Sequence, residues 1–94
     1  MIRNVVLVRL KSGADPQAFA EILASLEALR TPGMQGIRAR PDAGLREGNW
    51  DGAVVADFED ASAYQEYDRD EEHNRLRQRL GALVDTIARC QLEV

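Results

Sequence analysis

Aliphatic and β-branched residues run almost unbroken from Arg3 to Leu10 without a helical period, which predicts a strand buried on both faces. Asn4, Val6, Val8 and Leu10 share one face; Val5 and Leu7 share the other, with Arg3 and Arg9 at its ends. A different period follows. Phe19, Ile22, Leu23, Leu26 and Leu29 recur three and four apart, behind an Asp15 cap and Pro16, and predict a helix to about Arg30 that Thr31-Pro32-Gly33 ends. Gln35 to Ala43 alternates Ile37 and Ala39 with Arg38 and Arg40, a half-exposed strand in which Pro41 fits only an edge or bulge. A polar loop, Gly44 to Asn49, leads into a strand from Trp50 to Phe58, with Val54, Ala56 and Phe58 on one face and Ala53 and Val55 on the other.

Asp60 then caps a short helix carrying Ala61, Tyr64 and Tyr67 on one side. The acidic segment Asp68 to Glu72 breaks it. His73, Leu76, Leu80 and Leu83 recur in a second helix, and Thr86 to Val94 closes the pattern as a strand with Thr86, Ala88, Cys90 and Leu92 on one face. The order β-α-β-β-α-(α)-β predicts an α+β, ferredoxin-like single domain over residues 1–94: a four-stranded antiparallel sheet with helices on one face. Helices cover one face only, so Val5, Leu7, Ala53, Val55, Ala88, Cys90 and Leu92 need another cover. A second copy of the sheet supplies it, and a homodimer through the sheet face is expected.

Composition narrows the function classes. Twelve Lys and Arg against sixteen Asp and Glu leave a net charge of -4, which argues against nucleic acid or an anionic membrane as partner, since both require a concentrated basic face. Arg69, Arg75, Arg77 and Arg79 are interleaved with Asp68, Asp70, Glu71 and Glu72, the pattern of a solvated helix face laced with ion pairs. The single Cys90 excludes an internal disulfide and reads as a small buried apolar residue. No apolar run approaches the roughly 20 residues that span a bilayer, and no secretory pattern opens the chain, so a cytoplasmic protein is expected.

The chemically distinctive stretch is Tyr64 to Leu80, which holds the only histidine and both tyrosines. On its helix stripe His73 points with Leu76 and Leu80 toward the sheet face that carries Asn4, Val6 and Val8. The expected lining of the space between is Asn4, Val6, Val8, Ile22, Leu23, Leu26, Val54, Ala56, Tyr64, Tyr67, His73, Leu76 and Leu80. That is an aliphatic surface with a few convergent polar groups, the usual character of a small-molecule pocket. A metal is not expected, because one histidine without clustered carboxylates supplies too few ligands.

Ile2-Arg3-Asn4-Val5-Val6-Leu7-Val8-Arg9-Leu10-Lys11 resembles the opening strand of the stress-responsive dimeric α/β-barrel (Dabb) family. Asp51 to Phe58 resembles its third strand, Tyr67 to His73 its helix junction, and Val94 stands near its usual end. The resemblance implies a ferredoxin-like monomer whose sheets pair face to face into a barrel, with a pocket between each sheet and its own helices. It also implies, from the family's plant polyketide cyclases, an intramolecular aldol condensation without a cofactor, performed by a pocket histidine and a nearby tyrosine. Tyr67 and His73 match those two by position and by separation. Asn4 replaces the family's opening-strand histidine, Asp70-Glu71-Glu72-His73 replaces its frequent His-Pro-x-His, and Leu26 aligns with a cyclase tyrosine.

Neutral imidazole can remove a proton beside a ketone, and a phenol can donate to the oxygen where enolate charge develops. The helix N-terminus opposes protonation of His73 while Asp70, Glu71 and Glu72 favour it, so its charge stays open at this level. Asn4 is a candidate to fix its tautomer. Three readings stand: a cofactor-free enzyme or binder for a small carbonyl or polyketide-like ligand, with His73 as base and Tyr67 as donor; a non-catalytic stress-response or assembly domain, with His73 a satisfied core residue bonded to Asn4 or Tyr67; and a cofactor-free monooxygenase-like enzyme.

Overall fold

The computed structural model describes all 94 residues. Its elements are β1 (Ile2–Leu10), α1 (Pro16–Glu27), β2 (Met34–Pro41), β3 (Gly52–Phe58), α2 (Ala61–Arg69), α3 (Glu71–Gly81) and β4 (Val84–Glu93). The strands form one antiparallel sheet in the order β2-β3-β1-β4. The two-faced aliphatic strands β1 and β3 take the centre, and the more exposed β2 and β4 take the edges. Pro41 ends the edge strand β2, where no ladder donor is missed.

The core lies between one sheet face and the helices. Val6, Val8, Ile37, Ala39, Val54, Ala56 and Phe58 meet Phe19, Ile22, Leu23 and Leu26 of α1, then Tyr67, Leu76 and Leu80 beyond it. Each such aliphatic or aromatic side chain contributes about 1.5–3 kcal/mol through burial. Asp15 caps α1, its carboxylate accepting from the Gln17 amide at 3.0 Å. The helix stops at Glu27, three residues earlier than its periodicity predicts. Leu29 is buried just beyond it, its amide donating to the Leu26 carbonyl at 3.1 Å, while the Arg30 guanidinium donates to the Glu27 carbonyl at 2.9 Å. These bonds satisfy carbonyls that another helical turn would have used. Gly33, at φ +80, is where the chain turns into β2. A Cβ there would stand 2.5 Å from the Ala63 Cβ, so only glycine lets α2 approach.

Other boundaries move by a few residues. β2 spans Met34–Pro41 rather than 35–43, β3 begins at Gly52 rather than Trp50, and β4 covers Val84–Glu93 rather than 86–94. On α2 the buried alanine is Ala63, whereas Ala61 is exposed. The Asp60 carboxylate accepts from the Ala63 amide at 2.9 Å, which fixes the phase so that Ala63 and Tyr67, four apart, face inward.

The sheet face away from the helices carries Val5, Leu7, Ala53, Val55, Ala88, Cys90 and Leu92. The bidentate Arg3–Asp57 ion pair closes one end of this stripe at 2.8 and 3.0 Å. At the other end the Arg9 guanidinium lies 4.6 Å from the Trp50 ring centroid. Leu92 is 46% exposed. Cys90 is exposed in the single chain as well, on the face whose cover the sequence assigns to a second copy. It pairs with Val5 on this open face, which no helix covers.

Candidate functional site

Asp70 builds the site. Its backbone is extended, φ -60 and ψ 132, so it ends α2 and starts α3 in a single residue. Its carboxylate accepts from the His73 amide at 2.9 Å, and its own amide donates to the Tyr67 carbonyl at 3.1 Å. This sharp break folds α3 back so that the Tyr67 and His73 rings stack, centroids 3.9 Å apart and planes inclined by 26°. Phe58 packs against Tyr67 as well, centroids 5.0 Å apart.

Ring stacking means that the phenol does not hydrogen-bond the imidazole. His73 Nδ1 lies 2.9 Å from the Tyr67 main-chain carbonyl. A carbonyl only accepts, so Nδ1 carries the proton and Nε2 presents the lone pair. Asn4 plays no part in fixing this tautomer. Its Oδ1 accepts from Gln91 Nε2 at 2.7 Å instead, across β1 and β4. Arg77 Nη2 stands 3.1 Å from Nδ1 and 2.8 Å from Asp68 Oδ1. Facing an N–H, the guanidinium acts on the ring as a neighbouring charge held by its aspartate, not as a donor.

Burial, and then the Arg77 charge, depress the His73 pKa; the bond to the Tyr67 carbonyl and the charges of Asp68 and Asp70 oppose them without prevailing. The balance left open by the sequence therefore tips toward the neutral imidazole. Burial acts oppositely on Tyr67, whose pKa is pushed up to about 12. Burial thus moves the pKa values of two adjacent groups in opposite directions.

Asn4, Val6, Leu26, Val54, Tyr64, Tyr67, His73, Arg77, Leu80, Ile87 and Arg89 line a cavity of about 40 Å³. Exposed Arg77, Ile87 and Arg89 form its mouth. Neither His73 Nε2 nor the Tyr67 hydroxyl has a protein partner, yet the one fully buried side-chain polar atom without a partner is Thr31 Oγ1. Both atoms therefore reach open space rather than a sealed wall. The space is small. About 10–15 Å³ holds one water, and drug-sized ligands occupy roughly 300 Å³ or more.

Eight of the thirteen expected lining residues border this cavity; Val8, Ile22, Leu23, Ala56 and Leu76 do not. Those five are packed into the core under α1 and α3, where facing side chains fill the space. Three lining residues went unforeseen. Arg77 is four residues from His73 and was within reach of helical spacing. Ile87 and Arg89 belong to the β4 face that pairs with Val8 and Val6, a register that alternation alone does not supply. The charged flank matches its expected character, with Arg69–Glu66 at 3.4 Å and Arg75–Glu72 at 2.7 Å. No group of three or more His, Cys, Asp or Glu side chains is arranged to hold a metal, and no helix is long and apolar enough to cross a membrane.

Fold and cavity together define an α+β, ferredoxin-like sandwich with a pocket between sheet and helices. The chain belongs to the Dabb family, the stress responsive A/B barrel domains, whose pattern matches residues 2–93. No curated protein matches it. Among solved structures it is similar to a dimeric ferredoxin-like protein of unknown function from Thermobifida fusca, at 23% identity and a TM-score of 0.89, covering 99% of this chain and 90% of that one. It is similar to a Dabb protein with a ferredoxin-like fold from Mesorhizobium loti, at 19% identity and a TM-score of 0.75, covering 99% and 95%. It is also similar to a hydroxynitrile lyase from Passiflora edulis, at 16% identity and a TM-score of 0.83, covering 99% and 92%. At these identities the likeness concerns the fold.

Proposed function

We propose that this protein is a homodimeric, cofactor-free acid–base enzyme acting beside the carbonyl of a small compound, with His73 as base and Tyr67 as donor. The observation that carries this reading is the stacked imidazole and phenol, with Nδ1 on the Tyr67 carbonyl and Nε2 left free, both lining one cavity; burial supports it by lowering the first pKa and raising the second. In the step, Nε2 takes a proton from the carbon next to the carbonyl. The C–H electron pair becomes the new C=C bond, the C=O π pair moves to oxygen, and the Tyr67 hydroxyl donates to that oxygen as charge grows. The imidazolium then returns its proton to carbon, or the enolate carbon attacks a second carbonyl, whose π pair moves to its oxygen and takes the imidazolium proton to give the hydroxyl of the aldol. The volume favours a small carbonyl compound, and a polyketide-like chain would have to widen the mouth. The dimer reading draws on the apolar outer sheet face and on the dimeric Thermobifida neighbour, and the enzyme reading gains some weight from the lyase among the neighbours.

The test is proton exchange in D2O on 2-oxobutyrate and 2-butanone, followed by proton NMR. The native protein is expected to accelerate loss of the signal beside the carbonyl. His73→Ala, still folded by circular dichroism, should remove about 10²–10⁴-fold of that rate. An undiminished rate in the folded variant would overturn the reading.

A second reading, a non-catalytic assembly domain, is favoured by the cavity volume of about 40 Å³, since side chains already fill most of the space. It requires that the native protein show no exchange above buffer while remaining dimeric.

A further inference from the structure

The net charge of the chain is -4, yet the mouth of its cavity is cationic. Arg77 and Arg89 stand there, one from α3 and one from β4. They are not equivalent. Arg77 is held by Asp68 at 2.8 Å, whereas Arg89 takes part in none of the molecule's ion pairs. Its place is set by the ladder: it pairs with Val6 of β1, between Ile87 opposite Val8 and Gln91 opposite Asn4. Gln91 is tied to Asn4 and Ile87 is apolar, so the strand offers the guanidinium no partner on this face. Its field reaches the cavity interior, where it favours the phenolate form of Tyr67 over the phenol. A guanidinium with five donors, unpaired at the entrance to a mostly hydrophobic pocket, is the arrangement that recognises a carboxylate in bidentate fashion.

We propose that Arg89 is the carboxylate-binding residue of the pocket, so that the ligand is a small oxo acid whose carbonyl enters toward Tyr67 and His73 while its carboxylate stays at the mouth. The proposal rests on the acid–base reading for the carbonyl half of the ligand, and on the unpaired cation for the other half. A small cavity suits this division, because only the carbonyl end must fit inside. The cationic entrance also raises the local concentration of anionic ligands against the negative charge of the rest of the surface.

The experiment measures binding and turnover separately, with 2-oxobutyrate and its methyl ester as probes. Binding is read from NMR shifts of the His73 imidazole, turnover from deuterium exchange at the carbon beside the ketone. The native protein should bind the acid more tightly than the ester. Arg89→Gln, at an exposed position, should weaken binding of the acid about tenfold to a hundredfold, the loss expected for a hydrogen bond between charged groups, and leave the ester unchanged. Arg89→Lys should recover part of the loss. Equal binding of acid and ester, no binding of either, or an acid affinity indifferent to Arg89→Gln overturns the proposal. Arg89-dependent binding without exchange sustains it, and overturns the acid–base reading of the site instead.

Discussion

Replacing Tyr67 with phenylalanine separates the fold from the chemistry in one substitution. The tyrosine ring is 3% exposed, stacks on His73 and packs against Phe58, and phenylalanine keeps every one of those contacts. Only the hydroxyl is lost. It bonds no protein group and is not sealed from the cavity, so its removal strands no partner. The usual cost of about 1–3 kcal/mol for orphaning a buried polar group does not arise. The expected stability change is therefore within about 0.5 kcal/mol, the range of a substitution that breaks no specific feature. For a domain of this size 1 kcal/mol moves Tm by about 4–8 °C, so calorimetry should show a shift under about 4 °C. Activity should behave differently. Losing a donor aimed at developing oxyanion charge costs about 10²–10³-fold, and exchange of 2-oxobutyrate should fall by that factor. A Tm drop beyond about 8 °C would show that the hydroxyl is engaged in the fold. An exchange rate equal to the native one would show that it never meets the substrate.

The depressed His73 pKa has a consequence for stability. Between its folded value and the ordinary 6.5 the unfolded chain binds more protons, so stability rises with pH across that window and falls as pH drops below about 6.5. Asp57 and Glu27 are shifted below their ordinary 3.8 and 4.5, so their contribution is lost only in more acidic solution, as pH falls toward their folded values. Chemical denaturation at pH 7 and pH 5.5 should show the loss, and folded His73→Gln should not; equal slopes in the two proteins would contradict the assignment. Gly52→Ala would place a methyl 2.7 Å from Phe19 Cζ and 3.1 Å from the Arg40 carbonyl oxygen. Such overpacking costs about 1–3 kcal/mol, and adding Phe19→Leu should cost less than the two single changes summed; strict additivity would locate the strain elsewhere. Leu7→Asp puts a charge in the middle of the open sheet face and should yield a folded monomer in sedimentation equilibrium, whereas a persisting dimer would place the interface elsewhere.

The chain alone determined a good deal. The unbroken aliphatic runs of β1 and β3, the period near 3.6 in α1, and the caps Asp15 and Asp60 are local signals, so element order and fold class follow from neighbours in the chain. Legible in the same way were the placement of Asn4 and Val6 on the helix face, the inward aim of Tyr67 and His73, and the need of Val5, Leu7 and Val55 for a cover. Where local signals ran out, the errors have physical causes. Val8, Ile22, Leu23, Ala56 and Leu76 share the inward faces of their elements, and whether facing side chains meet or leave a gap depends on packing. Arg89 entered the site only through the pairing of β4 with β1, eighty-odd residues apart in the chain. The surroundings of His73 were set by tertiary structure too. One reversal at Asp70 brought its Nδ1 to the Tyr67 carbonyl and stacked the two rings, and burial then set one pKa down and the other up. Residue types supply the capacity for acid–base chemistry. Only the distance between groups and the water excluded around them decide which protonation state each one holds.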